Sequence, residues 1–327
     1  AVTAITASRA MAQAAQAEAR ATLGRSLGPL DGLGIVWKDI IDQQGQVTTC
    51  GSRLRKSAPP AAQDATWVAQ LEAAGALSLA RTGLSEFAFS GLGINPHFGT
   101  PASALSESEP LLPGGSTSGA AVLVAAGLGD LGVGTDTSGS IRIPAALNGI
   151  FGFRPSSQRY DRRGVHALSR SLDTLGTLAR SFDLLCAADQ ALTTRPASTP
   201  STGKVEILDL TDSLGLTWDS EVAAAHAAAL SRASAAGWTV RRAHLKSVAA
   251  LHALIANEGP LVAIEARHKY ADLLASEQAN AIDPMIRARP AQAPVLSDTH
   301  YASYLQRRAQ LVAASRAEIG NRLVAFP

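Results

Sequence analysis

The sequence predicts an α/β layered fold. Helical and strand patterns alternate from residue 7 to residue 156, the signature of sheets covered by helices. Apolar residues make up 46% of the 327 and charged residues 17%, so a sizeable core can be buried. A glycine- and serine-rich stretch, "LLPGGSTSGAAVLVAAGLGDLGVGTDTSGSIRIP" (111–144), sits in the middle of that alternation and holds more small polar residues than a turn requires.

Taken in order, residues 7–24 are rich in Ala, Gln, Glu and Arg and end at Gly24, the pattern of a surface helix with a glycine stop. "GLGIVWKDIID" (32–42) reads as a buried strand followed by a turn. "DATWVAQLEAAGA" predicts a helix closed by glycine, and "LSLAR" (77–81) the strand after it. A helix over 117–127, a strand at "LGVGT", a helix near 141–149 and a strand at "GIFGFRPS" (149–156) follow. "DLLCAADQAL" has an apolar helical pattern that places Cys186 in the core. "RPASTPSTG" (195–203) is a polar connector, after which "KVEILDL" (204–210) resumes as a strand. A helix and a strand come next in "DSEVAAAHAAALSRASAAGWTVRRA", and from 246 onward the pattern is mainly helical.

Several function classes are excluded or disfavoured. A net charge of +2 is too weak for nucleic acid to be the main partner, and the basic clusters at 157–164 and 241–246 read as solvated or ion-paired faces. The two cysteines, Cys50 and Cys186, have neither metal spacing nor a disulfide framework. They suit a reducing compartment, and a cytoplasmic location is expected. The longest apolar runs fall short of a membrane span, and the N-terminal stretch lacks a signal-peptide pattern. "GLGDLG" (127–132) matches G-x-G-x-x-G by letter only. A dinucleotide site needs a strand before it and a helix after it, and here a helix comes first. No cofactor or metal is expected.

Chemistry concentrates at three places. Only five of the 29 basic residues are lysines, and Lys38 alone interrupts a strongly apolar strand, "GIVWKDII"; the other four lie in polar or mixed contexts. Burial disfavours an ammonium and lowers its pKa, which makes such a lysine a candidate base; the alternative is a lysine snorkelling or paired with Asp39. "GGSTSG" (114–119) precedes a helix, where backbone N–H groups gather positive charge. "TDTSGS" (135–140) is a second nest of donors ending at a serine. A serine nucleophile facing consecutive N–H groups would make an oxyanion hole; the alternative is two glycine-rich turns, one binding phosphate. Neither loop is closed by the Lys-Ser/Thr pair of a P-loop. The seven histidines are scattered, with only His97, in "NPHFGTP", in a notable loop; a lysine base is the alternative to the usual histidine.

These pieces in this order resemble the amidase signature family, most strongly from about 24 to 184. The residues that carry the resemblance are "GPLDGLGIVWKDIID", "GLSEFAFSGLGINPHFGTP", "PGGSTSGAAVLVAAG", "GVGTDTSGSIRIPAALNGIFGFRPS" and "SLDTLGTLARS". The resemblance implies an α/β/α fold with a mixed central sheet flanked by helices, formed by 1–327 as a single domain, in a family whose chains usually extend further. It implies Ser140 as nucleophile and Ser116 as a bridging serine beside a cis peptide bond. Lys38 is the implied buried base, and the N–H groups of Thr137, Ser138, Gly139 and Ser140 the implied oxyanion hole. The implied reaction is hydrolysis of a small-molecule carboxamide to an acid plus ammonia or amine, without cofactor, nucleic acid or membrane; a homodimer is compatible.

Two alternatives stay open: an amidotransferase component that works on charged tRNA within a complex, and a non-catalytic binding protein on the same scaffold. Ile143 stands where the tRNA-dependent branch typically has glutamine, which counts against the first. Thr117 and Ser138 replace a common Ser and Gly, and Arg81 and Gly83 fall where the family often has Lys-Thr-Asn. Asp136, Arg142 and Asp173 match recurring charged positions and are expected to support the loops without taking part in the chemistry.

Overall fold

The structure, a computed structural model, describes residues 1–193, 205–213 and 215–327. The predicted connector at 195–203 lies outside the described residues. The chain gathers into two compact units: 1–197 with 265–292, and 198–264 with 293–327.

The first unit is built on a six-stranded mixed sheet. Its elements run β1 (Val2–Ile5), α1 (Ala7–Thr22), β2 (Gly34–Lys38), α2 (Thr66–Ala73), β3 (Leu77–Thr82), α3 (Ser118–Ala125), β4 (Leu131–Asp136), α4 (Arg142–Leu147), β5 (Phe151–Phe153), β6 (Thr174–Ala179) and α5 (Phe182–Leu192). The strand order is β1-β3-β2-β4-β6-β5. β2 pairs parallel with both β3 and β4, while β1, β5 and β6 pair antiparallel with their neighbours. The central strands β2, β4 and β6 are buried along their whole length, as expected where helices cover a sheet.

α3 is nearly free of polar side chains and packs on β2, β3, β4 and β6. Its Ala120, Ala121, Leu123 and Val124 join Val36, Ala80, Ile141, Ala145 and Leu178 in one buried cluster. The glycines of β4 permit this close approach. A Cβ on Gly134 would come within 2.5 Å of Thr117 Cγ2 and 2.8 Å of Thr117 Oγ1. A bare backbone there lets the loop entering α3 lie against the sheet.

Two strands carry no clear signal in the sequence. β1 is a four-residue edge strand, too short to display a period. β6 reads "TLGTLA", polar residues and a glycine without clean alternation, yet every residue is buried between β4 and β5. Cys186 is exposed on α5, so its predicted place in the core is wrong; Leu185, Ala188 and Leu192 form the inner face of that helix.

The second unit carries a three-stranded parallel sheet, order β8-β7-β9, from β7 (Glu206–Asp209), β8 (Thr239–Arg242) and β9 (Leu323–Ala325). Its helices include α6 (Ser220–Ala235), α7 (Lys246–Glu258) and, later in the chain, α11 (Asp298–Ile319). Leu208, Leu210 and Leu245 form its buried cluster, with Ala243, Val248 and Ile319 packed against them. Between these helices come α8 (Leu261–Lys269), α9 (Ala271–Ala275) and α10 (Pro284–Ala291). Residues 265–292 return to the first unit. No single helix among the described residues is long and apolar enough to cross a membrane.

Gly134→Ala is expected to destabilise the protein by about 1–3 kcal/mol, because the added methyl overpacks Thr117 against the sheet. Urea unfolding monitored by circular dichroism measures this, and a midpoint equal to that of wild type contradicts it.

Candidate active site

Lys38 ends β2, and its side chain is fully buried in the first unit. Lys38 Nζ lies 2.8 Å from Ser116 Oγ and 2.8 Å from Thr135 Oγ1, with the Thr135 carbonyl at 3.4 Å. Among the described residues no carboxylate pairs with the amine: Asp39, the alternative partner read from the sequence, turns instead to Arg81 at 2.5 Å. Burial pulls the Lys38 pKa down to about 7, against the opposing pull of Asp173, Asp136 and Cys50.

Ser116 follows a cis peptide bond, Gly115–Ser116. A Cβ on Gly115 would lie 2.5 Å from the Gly93 nitrogen and 2.7 Å from the Ser90 carbonyl oxygen, so the residue before the serine has no room for a side chain. The Gly115 N–H donates to the Gly91 carbonyl at 2.8 Å, and the Ser85 N–H donates to the Ser116 carbonyl at 3.3 Å. The Thr117 N–H donates to the Ser140 carbonyl at 3.2 Å, which joins the two serine loops directly. Ser140 itself is buried, 9% exposed.

The loop between β4 and α4 is organised by two carboxylates. Asp136, fully buried at the end of β4, accepts from the N–H groups of Gly139 at 2.7 Å, Ile141 at 3.2 Å and Arg142 at 3.4 Å. The Arg142 guanidinium adds two bonds at 3.0 Å. Burial alone would raise the Asp136 pKa, but Arg142 and the backbone donors outweigh it and hold the carboxyl below its ordinary range. Asp173 accepts from Thr137 Oγ1 at 2.6 Å and from the N–H groups of Leu168 and Ser169 at 2.7 and 3.0 Å. There burial wins and pushes the carboxyl above its ordinary value. Both aspartates thus serve the loop, as do Arg142 and Thr137. The Gly139 N–H, expected in the oxyanion hole, is instead spent on Asp136, which leaves Thr137, Ser138 and Ser140 as candidate donors.

Thr135 goes unnoticed in the sequence as a partner of Lys38, because a threonine in a strand carries no distinguishing signal. Arg81 looks there like a loop variation. It is instead fully buried and donates to Asp39, the Ile41 carbonyl, Gln43 and Thr48. Thr48 passes the network on to Asp42 at 2.7 Å, and Asp42 accepts from His166 at 3.0 Å. The bond to Asp42, reinforced by Cys50, pushes the His166 pKa up to about 9, so this histidine is a cation at neutral pH. His97 pairs with the buried Glu86 at 3.2 Å. "GLGDLG" runs from α3 into β4, the reverse of a dinucleotide turn, and its Asp130 accepts the Gly34 N–H at 2.8 Å. The basic clusters are ion-paired: Arg159 with Asp189, Arg163 with Asp161, Arg241 with Glu206 and Arg242 with Asp212. Among the described residues, no group of three or more His, Cys, Asp or Glu side chains could hold a metal ion.

A family model described as Amidase matches residues 1–321. The chain belongs to the amidase family. Among its relatives, the 2-amino-5-chloromuconic acid deaminase of Comamonas testosteroni is 35% identical over 93% of this chain and 65% of its own length. The A-type subunit of the glutamyl-tRNA(Gln) amidotransferase of Halorhodospira halophila is 42% identical over 55% of this chain and 36% of its own. A solved structure of an amidase superposes with a TM-score of 0.87 at 29% identity, covering 100% of this chain and 73% of that one. The chain therefore spans about two thirds of the first of these relatives and matches about a third of the second. The amidase fold, with its mixed sheet and flanking helices, is the one expected from the sequence.

Arg81→Met would leave Asp39 buried without its cation and is expected to cost about 3–5 kcal/mol of stability. Arg81→Met combined with Asp39→Leu should lose less than Arg81→Met alone, because no orphaned charge remains. Denaturant titration of wild type and the two variants measures both effects.

Proposed function

We propose that this amidase hydrolyses a carboxamide C–N bond through a Ser140–Ser116–Lys38 relay. The observation that carries this reading is the 2.8 Å approach of a fully buried, carboxylate-free Lys38 amine to Ser116 Oγ. An amine with a pKa near 7 is substantially neutral at physiological pH and can accept a proton. In the proposed reaction Ser140 Oγ attacks the amide carbonyl while its proton passes to Ser116, whose own proton passes to Lys38. The N–H groups of Thr137, Ser138 and Ser140 receive the developing oxyanion. Collapse breaks the C–N bond, and the relay runs backwards to protonate the departing ammonia or amine. Water then attacks the acyl-Ser140 ester, again with Lys38 as the ultimate base, and releases the acid. No step calls for a metal or cofactor.

The asymmetry of the loop supports this division of labour. Asp136 fixes the loop from inside through Gly139, so the remaining donors are preorganised before charge appears on the substrate. The name of the Comamonas relative denotes deamination of a carboxylic acid, a C–N cleavage compatible with this reading. Similarity to the Halorhodospira amidotransferase keeps a second reading in view, in which the same relay supplies ammonia to a charged tRNA. Ile143 at the position of the typical glutamine argues against it. Glutaminase activity together with co-purifying partner proteins would favour that second reading. A cytoplasmic location belongs to the same proposal.

A fluorophosphonate is expected to label Ser140, and Ser140→Ala to lower ammonia release by about 10⁴-fold. Unlabelled Ser140 in folded protein, or equal turnover by the variant, removes Ser140 from this role. The pH dependence has a definite sign. Because the folded pKa of Lys38 is depressed to about 7 and the neutral amine is the active form, kcat/KM should rise about tenfold per pH unit below about 7 and level off above it. A flat profile between about pH 5.5 and 8 contradicts Lys38 as the base.

A further inference from the structure

The outer face of α4 departs from what a helix facing solvent normally carries. On its inner side Ile141, Pro144, Ala145 and Asn148 are buried in the first unit. The helix has one charged residue, Arg142, whose guanidinium reaches back to Asp136. That leaves Ile143, Ala146 and Leu147 to meet solvent, where a surface helix ordinarily puts polar side chains. Ile143 is 36% exposed and Leu147 46%. Four residues apart on the helix, they stand side by side in one aliphatic stripe.

Isolated aliphatic groups at a surface mean little. What sets these two apart is the backbone they rest on. The Ile143 N–H donates to the carbonyl of Gly139, the residue before Ser140, at 2.7 Å. The Ile143 side chain fills the space beside that glycine: a Cβ on Gly139 would come within 2.7 Å of Ile143 Cδ1. The same methyl is 3.3 Å from where a Cβ on Gly91 would stand, and the Gly91 carbonyl holds the Gly115 N–H next to Ser116. Leu147 repeats the contact one turn later, since a Cβ on Gly114 would lie 3.0 Å from Leu147 Cδ1. The end of the helix is fastened in that position. Asn148 Nδ2 donates to the Pro113 carbonyl at 2.8 Å, and Ser103 Oγ donates to the Leu147 carbonyl at 2.6 Å. Because the three glycines carry no side chains, the two aliphatic groups lie directly on the backbone flanking Ser116 and Ser140.

We propose that Ile143, backed by Leu147, is a specificity-determining residue that forms an apolar wall for the acyl group, so that this amidase selects amides of aliphatic acids over those of small or polar acids. The proposal rests on the Ser140–Ser116–Lys38 relay and gives neither residue a part in the chemical step. In that relay the amine leaves through Ser116, on the side of the buried Lys38, while the acyl group stays on Ser140 until water releases it. A side chain seated against the residue before Ser140 and open to solvent therefore meets the acyl part. Ile143 to Leu147 spans about 6 Å of helix, so a longer hydrocarbon chain reaches the second residue after the first. Each methylene drawn from water onto the wall raises kcat/KM, by up to about fourfold where it is fully buried. A polar side chain at 143 would remove that gain.

The test measures ammonia release by the full chain from acetamide, butanamide, hexanamide and glutamine. Wild type is expected to gain about two- to fourfold in kcat/KM per methylene from acetamide to hexanamide, mainly through a lower KM, and to prefer hexanamide to glutamine. Ile143→Gln should lower the hexanamide-to-acetamide ratio at least tenfold, Leu147→Gln should lower it in the same direction, and Ile143→Leu should keep most of it. A wild-type ratio near one overturns the proposal, as does a ratio unchanged in Ile143→Gln protein that still labels at Ser140 with a fluorophosphonate. A gain that appears only when the hydrocarbon is moved to nitrogen, read as amine release from N-butylacetamide, overturns it too. All three results leave the relay intact. If wild type neither labels nor turns over any amide, the relay fails instead. NMR titration with hexanamide and acetamide then decides the wall alone: tighter binding of hexanamide, weakened at least tenfold by Ile143→Gln, supports it, and equal or absent binding overturns it.

Discussion

Everything at the centre of this protein follows from placing one amine where water cannot reach it. A lysine at the end of a buried parallel strand has few stable solutions: it finds a carboxylate, or it gives up its proton to become a neutral amine. Here the nearest carboxylate in the chain, Asp39, is claimed by Arg81, and the amine is met by two hydroxyls. That choice goes with a Lys38 pKa lowered to about 7. It also fixes Ser116, because the hydroxyl that satisfies the amine belongs to the loop entering α3. The loop in turn holds Ser140 through the bond from Thr117 N–H to the Ser140 carbonyl.

The surrounding ion pairs follow from the same requirement. Arg81 takes Asp39 away from Lys38 and ties it to Thr48, Asp42 and His166. Asp136 and Asp173 lie near enough to favour the ammonium, but both are occupied by the loop that carries Ser140. The site therefore keeps its negative charge bound up in scaffold bonds, where it organises backbone donors and leaves the lysine free to lose its proton. Arg142 serves that arrangement from a half-exposed position, with its guanidinium reaching inward to the fully buried Asp136.

Much of this is legible in the residues alone. Lys38 stands out because a charge inside "GIVWKDII" contradicts the strand's own pattern, and Ser116 and Ser140 because small residues cluster around them beyond what turns need. The alternation of helix and strand reveals β2, β3, β4 and β5 of the sheet. What stays hidden has no local signal. Thr135 looks like any strand threonine, and the direction of the Gly139 N–H depends on where the Asp136 carboxylate comes to rest. Arg81 differs from a surface arginine only through partners up to 42 residues away, a pairing decided by packing. β6 is buried on both sides although its residues are largely small or polar, so burial there is imposed by its neighbours. Cys186 misleads because the helix around it is apolar on more than one face.

The return of residues 265–292 to the first unit bears on the order in which the protein can assemble. The strands that carry Lys38 and Thr135, and the loops that carry Ser116 and Ser140, all lie before residue 180 and pair over moderate separations. The contacts that bring the later segment back span far more chain: 197 residues from Glu86 to Asp283 and 228 from Arg53 to Ala281. Closing loops of that length is slow, and synthesis delivers the segment only after all of these strands and loops. Lys38, Ser116, Thr135 and Ser140 can therefore be brought together early, before the later segment packs back against the first unit.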